Sequence, residues 1–449
     1  MRGSIRGVAA GLALCVGALG LGVLAPGAAL AQTTGTRTSS FAYDATSGLL
    51  TQEVIEPDTP ALRLQTDYTY DAFGHKVAVA VSGADIATRS ASTTYDTKGQ
   101  FPKSASNALS HAESWEYDAR FGTPTKHTGP NGLVTTWEYD GFGRKTKEVR
   151  ADGTRSTWNY LYCSGTAGGT ASCPSGAAHL VQVKALGPDG TTKIAPTATQ
   201  YFDKLDRVIA ADTEGFDGSP IRTETRYDAL GRVEKKSRPY FVTGGSPKWI
   251  TYTYDTLGRV LTETQPNSGV TSQAYHGLTT SVTNAASQTS TTIKNSQGQV
   301  VQVKDADNKT TSYQYEPFGN LAKVTDAAGN VTTYGYDTRG RKVTANDPDL
   351  GTSTYTYDVL DKVKAQTNAA AEVTTLSYDL LGRVTQRVEP GLTSTWTWDT
   401  AGPKGIGKLA AASTNAGYTR AHTYDALGRP TRCRSPSMPP PTPSPRPTT

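Results

Sequence analysis

Along Val324 to Val343, VTDAAGNVTTYGYDTRGRKV, apolar and aromatic residues alternate with polar ones in runs too short for a helix. Thr251-Tyr252-Thr253-Tyr254 repeats the alternation. A period of two over a few residues marks a strand with one packed face and one wet face. Between the runs stand Asp-x-x-Gly tetrads, here Asp326 to Gly329 and Asp337 to Gly340. Asp first and Gly fourth is the signature of a type I turn. The carboxylate accepts from nearby amides, and Gly takes the left-handed geometry that follows. One unit therefore predicts two antiparallel strands and two tight turns.

The unit repeats. Six copies of Tyr-Asp-x-x-Gly-Arg are strict. They hold Tyr139, Asp140, Gly143 and Arg144; Tyr227, Asp228, Gly231 and Arg232; Tyr254, Asp255, Gly258 and Arg259. The others hold Tyr336, Asp337, Gly340 and Arg341; Tyr378, Asp379, Gly382 and Arg383; Tyr424, Asp425, Gly428 and Arg429. Looser copies start at Tyr43, Tyr70, Tyr95, Tyr117, Phe202, Tyr315, Tyr357 and Trp398, and degenerate ones lie near Tyr160, Tyr275 and Lys294. From Tyr315 through Tyr336 and Tyr357 to Tyr378 the spacing is 21 residues each time. That period leaves no room for a crossover helix. The expected fold is all-β, a repetitive antiparallel meander of hairpins. About sixteen units would give roughly 32 strands at ~4.8 Å, a ribbon on the order of 150 Å wide. Open sheets rarely exceed ~10 strands without curling. The ribbon should curl into a shell about 50 Å across, or stack as a rod-like solenoid.

Three parts follow: a signal peptide over 1–31, the array over 32–434 with a Cys-bracketed insertion at about 161–200, and a Pro-rich tail over 435–449. Arg2 and Arg6 precede the apolar run Val8 to Leu24, and Ala29-Leu30-Ala31 is a small-x-small site before Gln32. Cleavage is expected between Ala31 and Gln32. It removes two Arg, so the net charge falls from +5 to 5 − 2 = +3. That is too small to argue for nucleic acid or an anionic membrane as partner. No second apolar segment is long enough for a spanning helix, so an exported protein that is not integral to the membrane is expected. After Arg429, Pro430 stands where other strict copies continue with Val or Thr, and SPSMPPPTPSPRPTT follows. A frameshifted or truncated gene product is the expectation there.

The candidate chemistry is sparse. Every repeat Asp holds the same turn position and reads as a cap, not one of a catalytic pair. Each repeat Arg should pair with a neighbouring acid or carbonyl; a ladder for anionic glycans is the alternative. Each repeat Tyr should pack between strands with a wet hydroxyl, and stacking on a sugar is the alternative. The six His form no metal or catalytic spacing, and Asp305-Ala306-Asp307-Asn308 lacks the Gly and Glu of a calcium loop. No cofactor is expected. Cys163 and Cys173 bracket CSGTAGGTASC and, in an exported chain, read as a disulfide.

The hexapeptide at this spacing resembles the YD-repeat, or Rhs, family, over Tyr43 to Arg429. The resemblance implies a large β-shell. In bacterial members that shell encloses a C-terminal toxin behind a conserved core segment. Neither that core nor a toxin is present in this sequence. The resemblance thus implies a non-enzymatic, secreted or surface-exposed scaffold of a toxin carrier whose cargo or C-terminal module lies elsewhere. An adhesin for cell-surface glycans is the other reading.

Overall fold

The computed structural model describes residues 3–5, 36–165 and 168–434. It holds 36 strands, and no helix occurs among the described residues. Neighbours in sequence are neighbours in the sheet, and all pairs are antiparallel, as in Val260–Thr264 on Val270–His276. One strand, Pro220–Tyr227, divides its partners. Its first half pairs with Tyr240–Phe241 and its second with Val233–Ser237, which hands the ribbon on to Trp249–Tyr254. Of residues 1–35 only 3–5 are described, as a short strand on Ser39–Tyr43. The Ala31–Gln32 junction and the tail 435–449 lie outside the described residues.

Each repeat turn closes the same way. In Asp255–Arg259 the Gly258 amide donates to the Asp255 carbonyl at 3.1 Å, and the Asp255 amide donates to the Arg259 carbonyl at 2.9 Å. Gly258 has φ 79°, the region that excludes most side chains. A β-bulge follows. Tyr254 faces Val260 while Thr253 faces Thr262, so Leu261 is the extra residue. The same shift recurs beside Tyr139, Tyr227, Tyr336, Tyr378 and Tyr424. A bulge bends its strand and adds right-handed twist. Repeated at one end of successive hairpins, it curls the ribbon.

Pro430 does not stop the array. It faces Tyr424 as the first residue of the strand Pro430–Arg434, and Cys433 faces His422. Pro102 and Pro124 fill the same slot opposite Tyr95 and Tyr117. The slot lies at the start of the strand, where a missing amide costs no ladder bond.

The curl closes on itself. The ribbon has a tyrosine edge, made of the Tyr-Asp-x-x-Gly-Arg turns, and a far edge of intervening turns. The far edge near residues 37–131 lies against the tyrosine edge near residues 318–406. Asn131 accepts from the Ile406 amide at 3.0 Å and donates to its carbonyl at 2.8 Å. Lys404 Nζ donates to the Asn131 carbonyl at 2.6 Å. Asp85 pairs with Lys364 at 3.0 Å and accepts from the Val359 amide. Arg37 donates to the Thr338 carbonyl and stacks on Phe318. Val359 is wholly buried, packed on Gly83. These partners lie 273 to 301 residues apart. About two dozen strands therefore make one winding, on the order of 115 Å round and ~35 Å across at the usual strand spacing. The winding is tighter than the 50 Å expected from the whole ribbon width, because the last strands overlap the first. A rod of stacked units would not bring residues so far apart into contact.

Most strand residues are half-buried and few are fully buried, as suits a single-layer ribbon. A small core lies at the insertion. Leu180, Tyr201 and Ala210 are buried together, with Ala171, Cys173, Ala177 and Ile209 packed against them. Cys163 and Cys173 form a disulfide that folds the loop onto this patch.

Candidate functional site

The repeated hexapeptide forms one constellation, built across two units. In the unit of Asp255, the carboxylate Oδ1 accepts from the Leu257 and Arg259 amides, both at 2.9 Å. Oδ2 takes Arg259 Nε at 2.6 Å. Arg144, Arg207, Arg232, Arg341, Arg383 and Arg429 make the same bond to Asp140, Asp203, Asp228, Asp337, Asp379 and Asp425. Loss of solvent is the largest single influence on Asp140, Asp228 and Asp255 and opposes their charge. The amides and the guanidinium together outweigh it, and the carboxyls lie below their ordinary 3.8. At Asp425 the Arg429 amide is the largest influence, with the same net direction.

The guanidinium also reaches forward. Arg232 lies over the Tyr254 ring at 4.6 Å, Arg207 over Tyr227 at 4.5 Å and Arg341 over Tyr357 at 5.1 Å. Arg144 covers Tyr160, Arg259 covers Tyr275, and Arg383 covers Trp398. Each contact joins one unit to the next through a cation on an aromatic face.

The tyrosine hydroxyl completes the joint and is not left to water. Tyr254 Oη donates to the Val233 carbonyl at 2.7 Å, and Tyr227 donates to Val208 at 3.0 Å. Tyr139, Tyr336, Tyr378 and Tyr424 donate to the carbonyls of Pro124, Leu321, Val363 and Leu409. Each acceptor lies two residues beyond the last rung with the next strand. Val233 precedes the rung Lys235↔Thr251, and Val363 precedes Ala365↔Thr375. The ladder leaves that carbonyl open, and the hydroxyl of the next unit fills it. Trp398 does the same through Nε1, at 2.9 Å to Val384. The sequence reading packed each Tyr between strands with a wet hydroxyl and paired each Arg with a neighbouring acid or carbonyl, and it missed this coupling between units. The available signal was that a unit with Arg is followed, one hairpin later, by a unit with an aromatic ring.

A second polar cluster lies beside the insertion. Arg222 forks onto Asp212 at 2.7 and 2.8 Å, and Tyr201 Oη donates to Asp212 at 3.1 Å. Tyr240 donates to Glu224. The hydrogen bond to Asp212 holds Arg222 firmly charged. Loss of solvent, then Glu224, pushes Tyr240 up to about 12. Lys184, Lys193 and Glu214 line an open groove beside the cluster. Asp212 is matched by Arg222 and Glu214 by Lys193, which suits cohesion better than proton transfer. Among the described residues, no three His, Cys, Asp or Glu side chains converge to hold a metal ion. Asp305 caps its own turn, accepting from the Asp307 and Lys309 amides. No helix among the described residues is long and apolar enough to cross a membrane.

The RHS repeat family's sequence profile matches residues 117–155, 295–330, 315–352 and 357–393. No curated protein sequence matches the chain. Among solved structures, the chain is similar to the crystal structure of TcdB2-TccC3, with TM-score 0.65 and 14% identity, over 89% of this chain and 29% of that one. It is also similar to TcdB2-TccC3-Cdc42, with TM-score 0.63, 12% identity, and 88% and 32% of the two chains covered. TcdB2-TccC3 without its hypervariable C-terminal region gives TM-score 0.63, 11% identity, and the same coverage. The likeness is one of fold, and this chain spans under a third of the length of those it matches.

Proposed function

Taking as premise that this is a chain of RHS repeats, we propose that it is a non-enzymatic scaffold, a wound β-shell that encloses or presents another polypeptide. The observation that carries this reading is the winding itself. Contacts between residues 273 to 301 apart turn a ribbon into a hollow body. The repeat residues serve the wall. The carboxylates cap turns, the guanidinium groups tie turns to rings, and the hydroxyls close open carbonyls. With Tyr254, Tyr227 and Trp398 each covered on one face by Arg, stacking on glycans is the weaker use of these rings. The cargo is a toxin or other module outside this sequence. The chain acts outside the cell after cleavage before Gln32.

Two measurements test this. Electron-microscopy averages of the purified protein should show a ring or short tube with an empty centre; a solid rod would sink the proposal. N-terminal sequencing of exported material should begin at Gln32, and a chain still starting at Met1 would remove the export step.

A further inference from the structure

The two edges of the ribbon are covered over only part of their length. On the tyrosine edge of the second winding, where the far edge of the first lies against it, the third residue after the aromatic is less exposed, with Phe318 at 42% the most open. Arg339 there is only 7% exposed, and Leu360 and Leu381 are half-buried. On the first winding the same position stands open. Phe142 is 83% exposed and Leu230 77%, and Phe73, Leu205 and Leu257 are similar. Leu230 and Leu257 have no structural task in their own turns, since the Asp, Gly and Arg already close them. The far edge is open in the complementary stretch, past residue 131, where Phe216 and Leu350 are exposed at turn tips.

We propose that the open tyrosine edge of one molecule docks on the open far edge of a second copy, so that the shells stack coaxially. Three observations select a second copy as the occupant. The interface already exists inside the chain, where tyrosine edge meets far edge. The two open edges each run about one winding, so their circumferences match. Exposed charges of opposite sign are also on offer: Asp217, Asp305 and Asp349 on the far edge, and Lys98 and Lys204, the latter beside Asp206, on the tyrosine edge. The contact is heterologous, because each copy offers two different surfaces. It therefore propagates instead of closing at a dimer. The inference rests on the winding and is independent of any cargo.

The test is sedimentation velocity of the full chain across micromolar concentrations. Wild-type protein should form a concentration-dependent series of oligomers. The double variants L230E/L257E, on the tyrosine edge, and F216E/L350E, on the far edge, should each be monomeric with an unchanged melt. Mixed one to one, they should give a dimer and nothing larger, since each retains the surface the other has lost. A monomeric wild type, oligomers unaffected by either pair, or a mixture that stays monomeric would overturn the proposal. If a double variant melts early, thiol cross-linking of Leu257→Cys with Leu350→Cys, each on a Cys433→Ser background, decides instead. An intermolecular product is expected, and its absence overturns the docking.

Discussion

Tyr254 carries two bonds that its own hairpin does not need. Its hydroxyl satisfies the Val233 carbonyl and its ring carries Arg232. Tyr254→Phe keeps the ring and loses the hydroxyl, so it should cost about 1 kcal/mol in a denaturant melt. A loss below the error of the melt would show that water replaces the hydroxyl freely. Gly258→Val acts differently. Its φ of 79° is hostile to a β-branched residue, yet the nearest side-chain atom to an added Cβ is Arg232 Cδ at 4.0 Å. The cost is backbone strain alone, about 1–2 kcal/mol. Loss of protease resistance is expected; an unchanged melt would contradict the turn geometry. The carboxylates set a pH dependence. Asp140, Asp228, Asp255 and Asp425 lie below their unfolded 3.8 in the fold, and Glu214 falls to about 2 through the Lys193 bond first. The unfolded chain therefore takes up protons first as pH falls. Stability from these groups is complete above the unfolded values and is lost progressively from about pH 4 downward. The melting temperature should be flat from neutral pH to about pH 5 and decline below it. A decline beginning near neutrality would point to histidine instead.

At the scale of elements, the hairpin was legible because everything that makes it is local. Alternation, the Asp cap and the left-handed Gly lie within one 21-residue unit. The joint between hairpins was not legible, because a ring and the guanidinium beneath it belong to different units, as with Tyr254 and Arg232. The small core at the insertion escaped notice for a related reason. Leu180, Tyr201 and Ala210 come from three strands, and the loop that covers them reads as Gly, Ser and Thr. The Cys163–Cys173 disulfide holds that loop down. Replacing both cysteines with serine should cost about 2–3 kcal/mol by the loop-entropy estimate. Hydrogen exchange should rise at Leu180 and Ala210 and stay unchanged in the Tyr336 hairpin. Equal protection with and without the cysteines would show that the loop packs unaided.

For the whole molecule, curvature is the property that no single unit displays. It accumulates from the bulges and becomes visible only where the second winding meets the first. Gly83 is the tightest point of that meeting. A Cβ there would lie 2.3 Å from Val359 Cγ2, while its own φ is unremarkable for any residue. Gly83→Leu should therefore part the windings and leave the hairpins intact. Far-UV circular dichroism should be unchanged, while protease cleavage near Val359 should rise. Unaltered resistance at that site would show that the seam does not hold the shell shut. Sequence could not reveal Gly83's role, because its partner lies more than 270 residues away.

That separation also orders events in time. Every other contact in the ribbon joins a hairpin to its neighbour, so hairpins can form one by one as the chain emerges, each on the edge of the last. The seam has no such freedom. Asn131 waits for Ile406, 275 residues later. At ribosomal speeds of ~5–20 residues per second, that wait is roughly 15–55 s. For that interval the molecule is an open gutter with finished walls. A polypeptide entering from the side must do so before the second winding arrives, and anything later meets a closed side.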